Sequence, residues 1–192
     1  MSARRNKPSP EPSLRRSSRS LLPVAAGLVV ALAVLLLARV GAVAPGIYPG
    51  GYFRLFFSDP IHLKAWVATA VLVVAVAQPL SAAWIFGKLP WHRPSWIAAF
   101  HRWNGRLVLL LTLPVAYLCI FRFGFQTTTG RVIAHGLLGA ALYGAFTAKI
   151  LTVRLHRPAL ATLVAGGLLF SLLIAVWSTS ALWLFEVGGV RR

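Results

Sequence analysis

The sequence predicts an all-α integral membrane protein, a bundle of five transmembrane helices with the N-terminus in the cytoplasm. Three observations lead there. The 192 residues are 58% hydrophobic, and the only acids are Glu11, Asp59 and Glu186, so the chain lacks the polar groups that cover a soluble domain of this size. Five apolar stretches approach the ~20 residues that carry a helix, at about 1.5 Å per residue, across a hydrocarbon core about 30 Å thick. The basic residues collect at the ends of these stretches and in the N-terminal tail. A β-barrel would show short alternating segments instead.

Residues 1–20 hold six cations, three prolines and no aromatic residue. Such a segment cannot bury a core and reads as a disordered basic tail. Residues 21–192 then form a single transmembrane domain. Its first span, about 21–44, has an apolar run from Leu21 to Ala38. The small residues Ala42-Val43-Ala44 also resemble a signal-peptide cleavage site, but Arg39 interrupts the run before that point, which favours a retained anchor. From Ala44 to Pro60, Pro45, Gly46, Pro49, Gly50 and Gly51 break any helix. Tyr48, Tyr52, Phe53, Phe56 and Phe57 suit a segment lying at the membrane interface.

The second span, about 61–86, begins after Asp59-Pro60, with proline near the first helical position. Pro79 in its interior removes a backbone hydrogen bond and predicts a kink, and Gln78 beside it is placed to bond a freed carbonyl. Trp84, Trp91 and Trp96 border the basic turn from Gly87 to Ser95. The third span, about 96–122, has His101, Arg102 and Arg106 at its start and Arg122 at its end. The stretch Leu107 to Phe121 between them is uncharged. The fourth span, about 131–152, carries Gly136, Ala140, Gly144 and Ala148 at four-residue spacing. That stripe admits the close approach of a neighbouring helix or of a flat cofactor. The fifth span, about 159–186, closes on Trp177, Trp183 and Glu186.

With the N-terminus inside, thirteen of the twenty basic residues fall on the cytoplasmic side and seven outside, as the positive-inside rule requires. Membrane lipid is a sufficient partner for these cations, and no nucleic acid is implied. Arginine outnumbers lysine sixteen to four and the spans are rich in Ala, Val and Leu. This fits a high-GC bacterial genome and the bacterial cytoplasmic membrane. Cys119 is the only cysteine, which excludes an intramolecular disulfide or a cysteine metal cluster; it reads as a small buried hydrophobe.

No pair of carboxylates lies within a span, and neither a phosphate loop nor a nucleophile elbow is present. Histidine remains: His62, His92, His101, His135 and His156. Histidines in a bundle can ligate haem iron axially. His62 opens the second span and His135 lies one turn into the fourth, both at the outer side, so they are the best-matched pair for one haem b. His101 opens the third span at the inner side. It is a candidate for a second haem, to which His92 or His156 would have to come from a turn. Arg131 and Arg122 could bind propionates, and Gly136 and Gly139 would leave room for a porphyrin beside His135. The plain alternative is that each histidine is an interfacial polar residue.

Two resemblances bear on this. Phe100 to Leu107, FHRWNGRL, resembles the start of the haem-bearing helix in ferric-reductase-like and b-type cytochrome membrane domains, where the histidine at the place of His101 is a haem ligand. A second histidine on that helix has no counterpart here; the region reads Leu113-Pro114-Val115-Ala116-Tyr117-Leu118. More of the chain, about His62 to Phe185, resembles a family of uncharacterised bacterial multi-pass proteins. The similar pieces are His62-Leu63-Lys64-Ala65-Trp66, Gln78 through Pro90, His101-Arg102, Gly124-Phe125-Gln126, Arg131 with His135, Tyr143 to Phe146 with Lys149, and Trp177 to Trp183. That family implies a fold unit and no chemistry.

The expectation is therefore a multi-pass membrane subunit that carries electrons through b-type haem, between a quinol or cytoplasmic donor and an outer redox partner protein. Two other classes stay open. One is a cofactor-free structural or assembly subunit. The other is a small transporter, against which stand the missing intramembrane charge pairs and half-repeats.

Overall fold

The computed structural model describes residues 13–43, 56–57 and 59–187. Among the described residues, five helices are long and apolar enough to cross a membrane: Leu21–Gly41, Pro60–Ile85, Ile97–Phe123, Gly130–Arg154 and Ala159–Val187. No strand occurs among the described residues. These helices coincide with the expected spans to within a few residues.

Helix α1 (Ser13–Val43) begins earlier than the tail boundary implies. Residues 13–20 form its first turns rather than part of a disordered segment. No glycine or proline interrupts the chain between Ser13 and Leu22, and once a helix is nucleated each further residue adds a hydrogen bond. The aromatic loop positions Tyr48, Tyr52 and Phe53 lie outside the described residues.

Helix α2 (Pro60–Ile85) is started by Asp59. Its Oδ1 accepts the backbone N–H groups of Ile61 and His62, at 2.8 and 2.9 Å, which satisfies two of the donors every helix start leaves open. Pro79 lies inside α2 as expected. Gln78, however, does not bond its own helix: its Nε2 donates to the carbonyl of His101, 3.0 Å away on the next helix. One turn before Pro79, the Val74 carbonyl accepts from Asn104 Nδ2 at 3.2 Å. The polar groups beside the proline thus join two helices.

Helix α3 (Ile97–Tyr117) continues as a π-helical turn, Leu118–Phe123. Helix α4 (Gly130–Arg154) is capped by Thr129, whose hydroxyl accepts from the Val132 N–H. Helix α5 (Ala159–Trp177) passes into a second π-helical turn, Ser178–Leu182, and a short α6 (Trp183–Val187).

The core lies midway along the bundle. Val71 and Ala75 of α2, Val108 of α3, Leu142 of α4, and Leu169 and Leu173 of α5 are buried together, with Phe146 and Phe170 packed around them. On the outside, Leu28, Val29, Leu32, Leu160 and Val164 stand exposed. Within the bundle, Trp177 Nε1 donates to Thr69 Oγ1 at 2.9 Å, and Tyr143 donates to the Thr112 carbonyl at 3.1 Å.

The small-residue stripe of α4 packs against a helix at Gly144. A Cβ on Gly144 would lie 2.5 Å from the Gly27 carbonyl oxygen, and one on Gly27 would lie 2.7 Å from that of Gly144. These glycines let α1 and α4 meet backbone to backbone. Gly136 does not leave porphyrin space beside His135, because the Phe125 ring fills it, 2.8 Å from where its Cβ would be.

Candidate functional site

The up-and-down run of the helices puts His101 at one end of the bundle and His62 and His135 at the other. A cavity lies near each end.

The larger, about 390 Å³, is lined by His101, Arg102, Arg106, Lys149 and Arg154 together with apolar groups that include Leu109, Phe146 and Leu173. His101 reaches it from the first turns of α3, with Nδ1 2.8 Å from Ser81 Oγ on α2. Ser81 is 3% exposed, and its hydroxyl also bonds the carbonyls of Ala77 (2.5 Å) and Gln78 (3.1 Å). A hydroxyl has a single hydrogen. With that hydrogen committed to its own helix, Ser81 accepts from His101 Nδ1–H, and the lone pair of the ring sits on Nε2. This is the tautomer a metal ligand needs, with the other ring nitrogen held by a second group. Neither His92 nor His156 lines this cavity. His156 lies in the turn after α4, with a positive φ of 50°.

The smaller cavity, about 270 Å³, is lined by Lys64, Cys119, Arg131 and His135, and both π-helical turns contribute to its wall. His135 Nδ1 is 3.2 Å from Thr179 Oγ1, which also bonds the Ala175 and Val176 carbonyls at 3.0 Å. By the same reasoning His135 donates from Nδ1. Its Nε2 faces Lys64 Nζ at 3.3 Å and the Cys119 thiol at 3.9 Å. Arg131 donates to the Thr179 carbonyl at 2.6 Å and stacks on the Trp183 ring, 3.7 Å from its centroid.

His62 does not line this cavity. Its Nδ1 lies 2.8 Å from Asp59 Oδ2. The reason is helical geometry: residues two apart are turned by about 200° around the axis. Lys64 faces the cavity, so His62 faces away. The structure therefore does not bring His62 and His135 together around one space. Burial alone would raise the Asp59 carboxyl, but the bonds from the His62 N–H, its ring and the Ile61 N–H prevail and hold it below its usual value. It is ionised near neutral pH, so His62 also donates from Nδ1.

All three histidines singled out in the sequence thus have Nδ1 pinned by a protein oxygen. Among them His101 combines a free-standing Nε2 lone pair with a roomy cavity; His135 has Lys64 against its Nε2. No spacing in the sequence singles out Lys64, Lys149, Ser81 or Thr179 as site residues, or the two π-helical turns of the described chain. Lys64 and Lys149, Ser81 in Gln78 to Pro90 and Thr179 in Trp177 to Trp183 did stand in the segments that carry the family likeness. Among the described residues no cluster of three or more His, Cys, Asp or Glu side chains occurs.

Neither the curated proteins nor the solved structures contain a match to the chain. A family model does match residues 15–192. The chain accordingly belongs to DUF6529, a family of unknown function.

Proposed function

We propose that the protein is a five-span subunit of a bacterial cytoplasmic membrane, N-terminus inside, that transfers electrons through a b-type haem with His101 as axial ligand. The observation that carries this reading is the Ser81–His101 contact at the wall of the larger cavity. The donor set suits the group. His101 offers Nε2, Arg102, Arg106 and Lys149 offer charge-assisted donors for two propionates, and Leu109, Phe146 and Leu173 offer an apolar wall. A haem held there would supply a one-electron couple. The charge bias of the loops supports a cytoplasmic position for this cavity, where a cytoplasmic reductant or a quinol would be the donor class. The likeness of FHRWNGRL to the start of a haem-bearing helix supports the same residue.

A second reading is a cofactor-free structural or assembly subunit. It is favoured by His135, both of whose ring nitrogens already have protein partners.

The test is a dithionite-reduced minus air-oxidised absorption spectrum of detergent-purified protein made with adequate haem supply. Sharp Soret and α bands that vanish in His101→Ala but persist in His62→Ala support the proposal. Bands that persist in His101→Ala move the ligand elsewhere. A featureless wild-type spectrum leaves the structural reading.

A further inference from the structure

The smaller cavity has a chemistry of its own, independent of the haem reading. It is rich in hydrogen-bond donors and poor in acceptors. Lys64 carries three N–H groups and Arg131 five. Among the described residues, Lys64 hydrogen-bonds only His135 Nε2 and lies over the Phe123 ring, 5.4 Å from its centroid, while Arg131 hydrogen-bonds only the Thr179 carbonyl and lies over the Trp183 ring. No carboxylate lines the space among the described residues; Asp59 is paired with His62, and Glu186 is not in the wall. Cationic groups held within a bundle without a counter-charge are costly unless something pairs with them. Much of the remaining wall is apolar, with Ile61, Val132, Phe125 and Leu184 beside the cations.

The backbone is unusual at the same place. Both π-helical turns of the described chain, Leu118–Phe123 and Ser178–Leu182, border this one cavity. Such turns are rare and concentrate at functional sites. The second carries Thr179, which holds His135 and Arg131 at once, the first by its hydroxyl and the second by its carbonyl. The two basic groups are therefore set by a shared residue, and the remaining Arg131 donors match an oxyanion in the two-pronged manner of a guanidinium.

We propose that this cavity binds a phosphate oxyanion between Lys64 and Arg131; where the phosphate is a lipid's, its apolar chain lies along the Ile61–Val132–Leu184 wall. The phosphate belongs either to a phospholipid headgroup or to a free phosphate ion. Trp183, under the Arg131 guanidinium, reports on the site.

The experiment titrates detergent-purified full-length protein and follows the tryptophan emission that is lost in Trp183→Phe. The probes are dioleoyl phosphatidylglycerol, dioleoylglycerol lacking the phosphate, and inorganic phosphate. A saturable change with phosphatidylglycerol, absent with dioleoylglycerol, supports a lipid headgroup. The same change with inorganic phosphate alone supports a free ion. In Lys64→Met and Arg131→Gln the half-saturation should rise about tenfold or more, as expected for loss of a charged hydrogen bond. Equal responses to phosphatidylglycerol and dioleoylglycerol, no Trp183 response to either phosphate, or unchanged half-saturation in both variants would overturn it. The comparison of the two lipids on wild-type protein needs no variant to fold.

Discussion

Ser81 Oγ stands 2.8 Å from His101 Nδ1 across the α2–α3 contact, while its hydrogen goes to its own helix. The serine therefore sets which ring nitrogen keeps the lone pair. If His101 ligates haem, Ser81 acts as its positioning residue. Loss of such an outer partner typically weakens ligation by about 10–100-fold. Ser81→Ala should lower haem affinity by that order in a reconstitution titration and shift the midpoint potential. Ser81→Thr, which restores the hydroxyl, should recover most of both.

Gly144 and Gly139 lie on the same helix and should respond in opposite ways. A Cβ at Gly144 meets the backbone of α1, whereas one at Gly139 meets nothing within 4 Å. Gly144→Ala should cost about 1–3 kcal/mol through overpacking at the α1–α4 contact. Gly139→Ala should be neutral or gain up to about 1 kcal/mol from helix propensity. Thermal unfolding in detergent compares the two; equal losses would remove the backbone contact as the cause.

Asp59 makes the start of α2 sensitive to acid. Its carboxyl is held below the usual range, so its contribution is complete above the unfolded-state value and fades as pH falls through the folded one. The loss should therefore appear below about pH 4. Asp59→Asn keeps a capping oxygen and should flatten that acid limb, while Asp59→Ala should cost about 1 kcal/mol at neutral pH. Melting temperatures from pH 6 down to pH 3 check both; an unchanged acid limb in Asp59→Asn counts against the assignment.

The Trp177–Thr69 hydrogen bond joins α5 to α2 across 2.9 Å. Thr69→Val removes the acceptor, keeps the shape and strands the indole N–H, so it should cost about 1–3 kcal/mol. Adding Trp177→Phe removes that stranded donor. The double variant should then lose less than the sum of the single ones, as a double-mutant cycle measures. Additive losses would mean the bond contributes nothing measurable.

The fold was legible because it rests on local quantities. Apolar length sets the spans, Asp59-Pro60 and Thr129 start helices, and glycine and proline turns end them. Each is decided by a residue and its near neighbours in the chain. The family likeness reached further and pointed to segments containing Lys64, Ser81, Lys149 and Thr179, without saying what they touch.

The site depended on angles and registers that span depth cannot supply. His62 and His135 both lie near the starts of their helices, yet the turn of about 200° between His62 and Lys64 puts the lysine at the cavity. The glycine stripe was visible, but only packing decided that Gly144 meets α1 and that Phe125 covers Gly136. The π-helical turns leave no period in the sequence, since each is a local slip of hydrogen bonding within an otherwise regular helix. The sequence by itself thus determined the five long apolar helices and most of their ends, though not the start of α1 at Ser13. The tertiary structure alone decided which histidine meets a serine and which a lysine, because rotation about a helix axis is set by what packs against it.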